Sequence, residues 1–250
     1  MYIDCGKDQG EITGIPSGFQ KLDMLTGGFQ ESDLVVVGAR PIMEKTAFAL
    51  NIAFNASNQD VIAVFSLEMS KKQLLKRAAS CIGRICRIKM RNPNRCFEDE
   101  DWNRFNFAMG VLSKLNMRIF DIAGMDISVR QLRKEYGEGR RMLVVVDYLQ
   151  LIAGAGRYHQ NRQAEISEIS RSLKQMARES IVVVIALSQL SHGVESRQDK
   201  GPILSDLRDR GQIEQDADVI AFLYQEEYYG KGRGKGWRLV LGKSKGYTVG

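Results

Sequence analysis

DLVVVGARPIMEKT, residues 33–46, joins an unbroken run of branched apolar side chains to a turn that ends in Lys-Thr. A segment apolar on both faces, Leu34 to Val37, suits a strand covered from two sides. The octet Ala39, Arg40, Pro41, Ile42, Met43, Glu44, Lys45, Thr46 has the G-x-x-x-x-G-K-[ST] spacing of a phosphate-binding loop set between a strand and a helix. In that setting Lys45 reaches the β- and γ-phosphates of a nucleotide and Thr46 puts its hydroxyl on Mg²⁺. The N–H groups at the start of the following helix face the anion. ATP and Mg²⁺ are the ligands this arrangement implies.

Two positions of the octet depart from the pattern. Ala39 adds one methyl group at the mouth of the loop. Glu44 replaces the glycine that lets the backbone wrap the phosphates, so a positive φ there would cost about 1–2 kcal/mol. A carboxylate turned toward a triphosphate would add repulsion of similar order.

On either side of this stretch, short apolar runs alternate with helical patterns. Strands are expected at Leu34 to Val37, Val61 to Leu67, Met142 to Val146, Ile181 to Leu187, Val219 to Tyr224 and Trp237 to Leu241. Helices are expected from Thr46 to Ala56 and, opened by a Ser70/Gln73 capping box, on to about Ile82. A third starts at the acidic run Glu98 to Asp101 and buries Trp102, Phe105, Met109 and Leu112 on one face. Ser128 with Gln131 reads as another capping box, and Ile166, Ile169, Leu173 and Met176 line a long helix. The fold class is α/β, a mainly parallel sheet with helices on both faces. Two glycine-rich or basic segments, residues 154–162 and 225–236, read as loops.

Composition narrows the function classes. The 250 residues suit one sizeable domain, and 36 Lys and Arg against 30 Asp and Glu leave a net charge of +6, which favours a polyanionic partner. Cys5, Cys81, Cys86 and Cys96 have no C-x-x-C spacing and lie far from His159 and His192, so reduced thiols are expected and a zinc site is not. No apolar run approaches a membrane span, which predicts a soluble, cytoplasmic protein.

Further strings then fall in a telling order: TGIPSGFQKLD at 13–23, FSLEMS at 65–70, VVVDYLQLI at 144–152, SEISRSLK at 167–174, ALSQLS at 186–191 and IEQDADVIAFLY at 213–224. Together they resemble the RecA-like motor domain of DnaB-type replicative DNA helicases, from about Thr13 to Gly250. The resemblance implies that Asp147 holds Mg²⁺ with Thr46, that Glu68 activates the attacking water, and that Gln189 relays the γ-phosphate state. It implies that single-stranded DNA meets loops containing Arg208, Asp209, Arg210 and Gly211, and Arg157 with Arg162. Lys243 and Lys245 would reach a neighbouring subunit's nucleotide, lysine standing at 245 where the family has arginine.

The resemblance further implies a homo-oligomer, a hexameric ring, with primase or a helicase loader as partners. With about a dozen residues before Thr13, residues 1–12 are expected to be a residual linker, and 13–250 the motor domain without its N-terminal primase-interacting domain. Two functions stay open. One is an ATP-driven motor that translocates on single-stranded DNA and unwinds duplex. The other is an ATPase-impaired paralogue that binds DNA or a helicase, motivated by Glu44 and Lys245. A recombinase or clock-type protein would share the fold, but the DYLQLI and IEQDAD strings point to the helicase branch.

Overall fold

The computed structural model describes residues 12–40, 43–66, 68–120, 125–137, 139–147, 162–190, 201–207, 210–224 and 238–244. In chain order the elements are α1 (Gln20–Thr26), β1 (Leu34–Ala39), α2 (Lys45–Ala56), β2 (Val61–Ser66), α3 (Lys71–Ile82), α4 (Pro93–Cys96), α5 (Asp99–Leu112), β3 (Met117–Phe120), α6 (Met125–Tyr136), β4 (Met142–Asp147), α7 (Arg162–Glu179), β5 (Val183–Gln189), α8 (Arg210–Asp216), β6 (Val219–Tyr224) and β7 (Arg238–Ser244). Short 3₁₀ turns lie at Lys89–Arg91 and Leu204–Asp206.

The strands form one sheet in the order β3-β2-β4-β5-β1-β6-β7, parallel except for the β6–β7 pair. Strands β1, β2, β4 and β6 are buried along their whole length, as their branched apolar runs require. Alternate side chains feed two cores. Leu34, Val36, Phe65, Val144 and Phe222 face α6, α7 and α8, whereas Val35, Val37, Ile62, Val145 and Ile185 face α2. The expected α/β architecture is therefore present.

Ahead of β1, the string at 13–23 closes on itself. The Asp23 carboxylate accepts from Ser17 N at 2.7 Å and Gly18 N at 3.1 Å, and Ile15 bridges to Phe29. Gly18 has φ +80°, and a Cβ there would meet the Asn55 amide at 1.9 Å. Both the left-handed backbone and the close approach thus require glycine.

Several expectations are corrected. Strand β3 has no counterpart among the expected strands; it is four residues long at the sheet edge with Arg118 turned outward, too short to carry a period. The Ser128/Gln131 pattern is not a cap, because α6 starts at Met125, which packs against the core one turn before buried Val129. Ile181 lies outside β5 with φ +51° and an exposed side chain. On α5, Phe105 and Leu112 pack against a small cluster of Ala79, Ile85, Met90 and Ala108, but Trp102 and Met109 are exposed. That cluster is too small to cover a full helix face, and Trp102 packs edge-on against the rings of Phe97 and Phe105. Residues 162 and 210, read as loop positions, are the first residues of α7 and α8.

Candidate functional site

Pairing register brings the chemistry to one edge of the sheet. Ala39 at the end of β1 lies level with Gln189 on β5, and Ser66 on β2 lies level with Asp147 on β4. Lys45 and Thr46 open α2 beyond β1, and Glu68 follows β2. These are carboxyl ends of parallel strands, where α/β sheets bind ligands.

The contacts are specific. Thr46 Oγ1 donates to Asp147 Oδ2 at 2.7 Å, deep in the protein, where Asp147 is 1% exposed. Asp147 Oδ1 is buried without a hydrogen-bond partner among the described residues, and Lys45 Nζ stands 3.9 Å from it. The same ammonium is 4.0 Å from Glu68 Oε2. Burial pushes the Asp147 carboxyl up, against the pull of the Thr46 hydrogen bond and the Lys45 charge. Burial likewise pushes the Lys45 ammonium down, while Asp147 and Glu68 act to raise it. A buried, under-coordinated carboxylate oxygen beside a hydroxyl suits a hydrated divalent cation, and a desolvated ammonium suits a phosphate. The residues present thus fit Mg²⁺ and a nucleoside triphosphate. Arg77 on α3, absent from the sequence reading, also helps to lower the Asp147 carboxyl; nothing in its spacing signals this.

Glu44 has φ 43° and ψ 35°, the left-handed conformation that glycine favours. Its carboxylate is over half exposed and accepts from Arg87 Nη1 at 3.2 Å. Glu44→Gly is expected to stabilise the protein by roughly 0.5–1 kcal/mol, the relieved backbone outweighing a lost surface ion pair. A higher urea midpoint at unchanged slope would register it. Beside the loop, Met43, Ala47, Phe48, Leu223, Leu239 and Leu241 line an apolar cavity of about 550 Å³.

Other expected site residues are placed as follows. Lys243 Nζ donates to Glu214 O and Ala217 O, both at 2.6 Å, and so closes the C-terminal end of α8. Gly211 is exposed in the first turn of α8. Residues Pro41, Ile42, Arg157, Arg208, Asp209 and Lys245 lie outside the described residues, as do residues 1–11 and the segment 225–237.

Known proteins share this geometry and sequence. Residues 14–248 match the DnaB-like helicase C terminal domain family. The replicative DNA helicase DnaC of Bacillus subtilis (strain 168) is 51% identical over 230 residues, covering 89% of this chain and 50% of that protein. A solved ATPase domain is 46% identical with a TM-score of 0.90, covering 97% of this chain and 87% of that one. A DnaB-like replicative helicase, solved with attention to its interactions with primase, is also 46% identical with a TM-score of 0.90, covering 96% and 59%. The chain spans about half the length of the curated relatives it matches. A family match across nearly the whole chain, together with a phosphate loop, a buried Asp147 and Glu68 at one sheet edge, places this protein in the DnaB-like helicase C terminal domain family.

Proposed function

We propose that this chain is the ATP-hydrolysing motor of a replicative DNA helicase, translocating on single-stranded DNA and unwinding duplex. The observation that carries the reading is the buried Thr46–Asp147 hydrogen bond, with Asp147 Oδ1 left for a cation and Lys45 poised beside it. Thr46 and Asp147 would hold the Mg²⁺ that neutralises charge on the β- and γ-phosphate oxygens. Lys45 would hold the γ-phosphate, exchanging Asp147 and Glu68 for it. Glu68, half exposed at the mouth of the site, would orient a water and take its proton as that oxygen bonds to the γ-phosphorus and the bond to the β-phosphate oxygen breaks. The apolar cavity beside Phe48 would take the base.

Gln189, level with the loop, would relay the γ-phosphate state toward Arg208, Asp209, Arg210 and Gly211, which with Arg157 and Arg162 would meet DNA phosphates. In a hexameric ring, Lys243 would have to leave the carbonyls of α8 to reach a neighbour's nucleotide with Lys245. Primase and a helicase loader are the partners that fit such a ring. Among the described residues no helix is long and apolar enough to cross a membrane, and a cytoplasmic location suits the function. The rival reading, an ATPase-impaired subunit, rests on Glu44 and Lys245; the outward ion pair of Glu44 with Arg87 speaks against its first half.

The test is ATP turnover by the intact chain with and without single-stranded DNA, followed by strand displacement on a forked duplex. Magnesium-dependent turnover that rises with DNA and falls steeply with salt is expected. Absence of nucleotide binding would sink the motor reading.

A further inference from the structure

Glu44 and Arg87 are 43 residues apart in sequence, yet Nη1 of Arg87 lies 3.2 Å from Oε1 of Glu44. The backbone that delivers Arg87 is anchored. Ile85 N donates to Ser80 O at 3.0 Å, Ser80 Oγ donates to Ile85 O at 2.6 Å, and Ile85 and Met90 are buried on either side of Arg87 in the cluster beneath α5. Lys76, Arg77 and Arg91 line the same shallow depression as Arg87. A carboxylate leaving the phosphate loop on this side therefore meets a positive surface. Asp147 and Glu68, which stand about Lys45, add negative charge at the next residue of the loop.

We propose that Arg87 is a positioning residue for the phosphate loop, holding the Glu44 carboxylate on the outside so that a side chain can stand where a triphosphate needs close backbone approach. The proposal rests on the nucleotide-binding reading above. It concerns where a negative charge sits, and only slightly the fold: both partners are more than half exposed, and such pairs add little stability. With Arg87 removed, the Glu44 side chain samples rotamers turned toward the phosphates, and like-charge repulsion weakens binding. The cost falls on affinity, not on turnover, because neither group touches the attacking water.

Titration calorimetry of the intact chain with a non-hydrolysable ATP analogue and Mg²⁺ tests this as a double-mutant cycle of Arg87→Ala and Glu44→Gly. Arg87→Ala is expected to raise Kd about three- to tenfold in the native background and less than about twofold in the Glu44→Gly background. Arg87→Lys should restore most of the loss, as should Glu44→Gln combined with Arg87→Ala, and with ATP the change should appear in KM at constant kcat. Thermal melting of each variant separates this from unfolding. An unchanged Kd in Arg87→Ala, or an equal loss in both backgrounds, overturns the proposal. So does binding by Glu44→Gly alone, which would mean that Glu44 blocks the site despite Arg87. If neither chain binds, the nucleotide reading itself fails and the proposal falls with it.

Discussion

Lys45→Ala will remove at least ~10²-fold of ATP turnover while leaving the fold as stable as before, within about 1 kcal/mol. The loss follows from electrostatic preorganisation. Lys45 sits at the first position of α2 with its ammonium 3.9 Å from Asp147 and 4.0 Å from Glu68, aimed at the ligand end of the sheet. No other lysine stands beside that carboxylate pair among the described ion pairs, so no second ammonium is in place to meet a γ-phosphate there. Stability responds differently because the ammonium is mostly desolvated, and its pKa is lowered by burial. Removing it discards that penalty and puts a strong helix former at the helix start. Against this, Asp147 loses an attractive charge that works against the upward push of burial on its carboxyl. Lys45→Arg should not rescue turnover, since a planar guanidinium does not fit a slot cut for a point charge. Steady-state ATPase assays beside urea titrations decide it: a variant that keeps more than a tenth of the native rate would remove Lys45 from the machinery.

How much of this is written in the sequence differs by feature. The central strands are legible because burial on both sides forces runs such as LVVV and MLVVV, which no amphipathic element can carry. The site residues are legible because they end those strands, and register then brings Asp147 beside Thr46 without further information. Local patterns fail where tertiary contacts decide. Ser128 imitates a cap, but Met125 finds core one turn earlier and draws the helix start back. Trp102 and Met109 share a helical face with Phe105, yet the cluster beneath reaches only part of it. The αL backbone at Glu44 follows from the glycine pattern, whereas its partner Arg87 does not. A contact across 43 residues between two exposed side chains leaves no trace in spacing. Lys243 is similar: its hold on α8 depends on how β7 returns along β6, which a sequence period does not encode.

Phe222→Ala should destabilise the protein by about 3–5 kcal/mol, at the upper end of that range, with the melting temperature falling by about 6–20 °C. Phe222 is among the largest fully buried side chains, on β6 beside the strand that feeds the phosphate loop. Its ring fills a slot made by two glycines. A Cβ at Gly38 on β1 would lie 2.9 Å from Phe222 Cδ1, and one at Gly242 on β7 would lie 2.7 Å from Cε2. Glycines have no side chain to lean into the space a truncated ring leaves, so the cavity persists and its cost with it. The sheet backbone cannot collapse either, since β6 is hydrogen-bonded to β1 in register on one side and to β7, around an irregularity at Gly242, on the other. Phe222→Leu should lose less, and adding Gly38→Ala to Phe222→Ala should recover part of the loss, although Gly38→Ala alone is destabilising. That sign reversal is the diagnostic, because only a steric slot shared by the two positions produces it. Gly38 directly precedes Ala39, so the same cavity loosens the base of the loop, and the KM for ATP should rise before the chain unfolds. Additive effects of the two substitutions would mean that the ring is not what fills the space over Gly38.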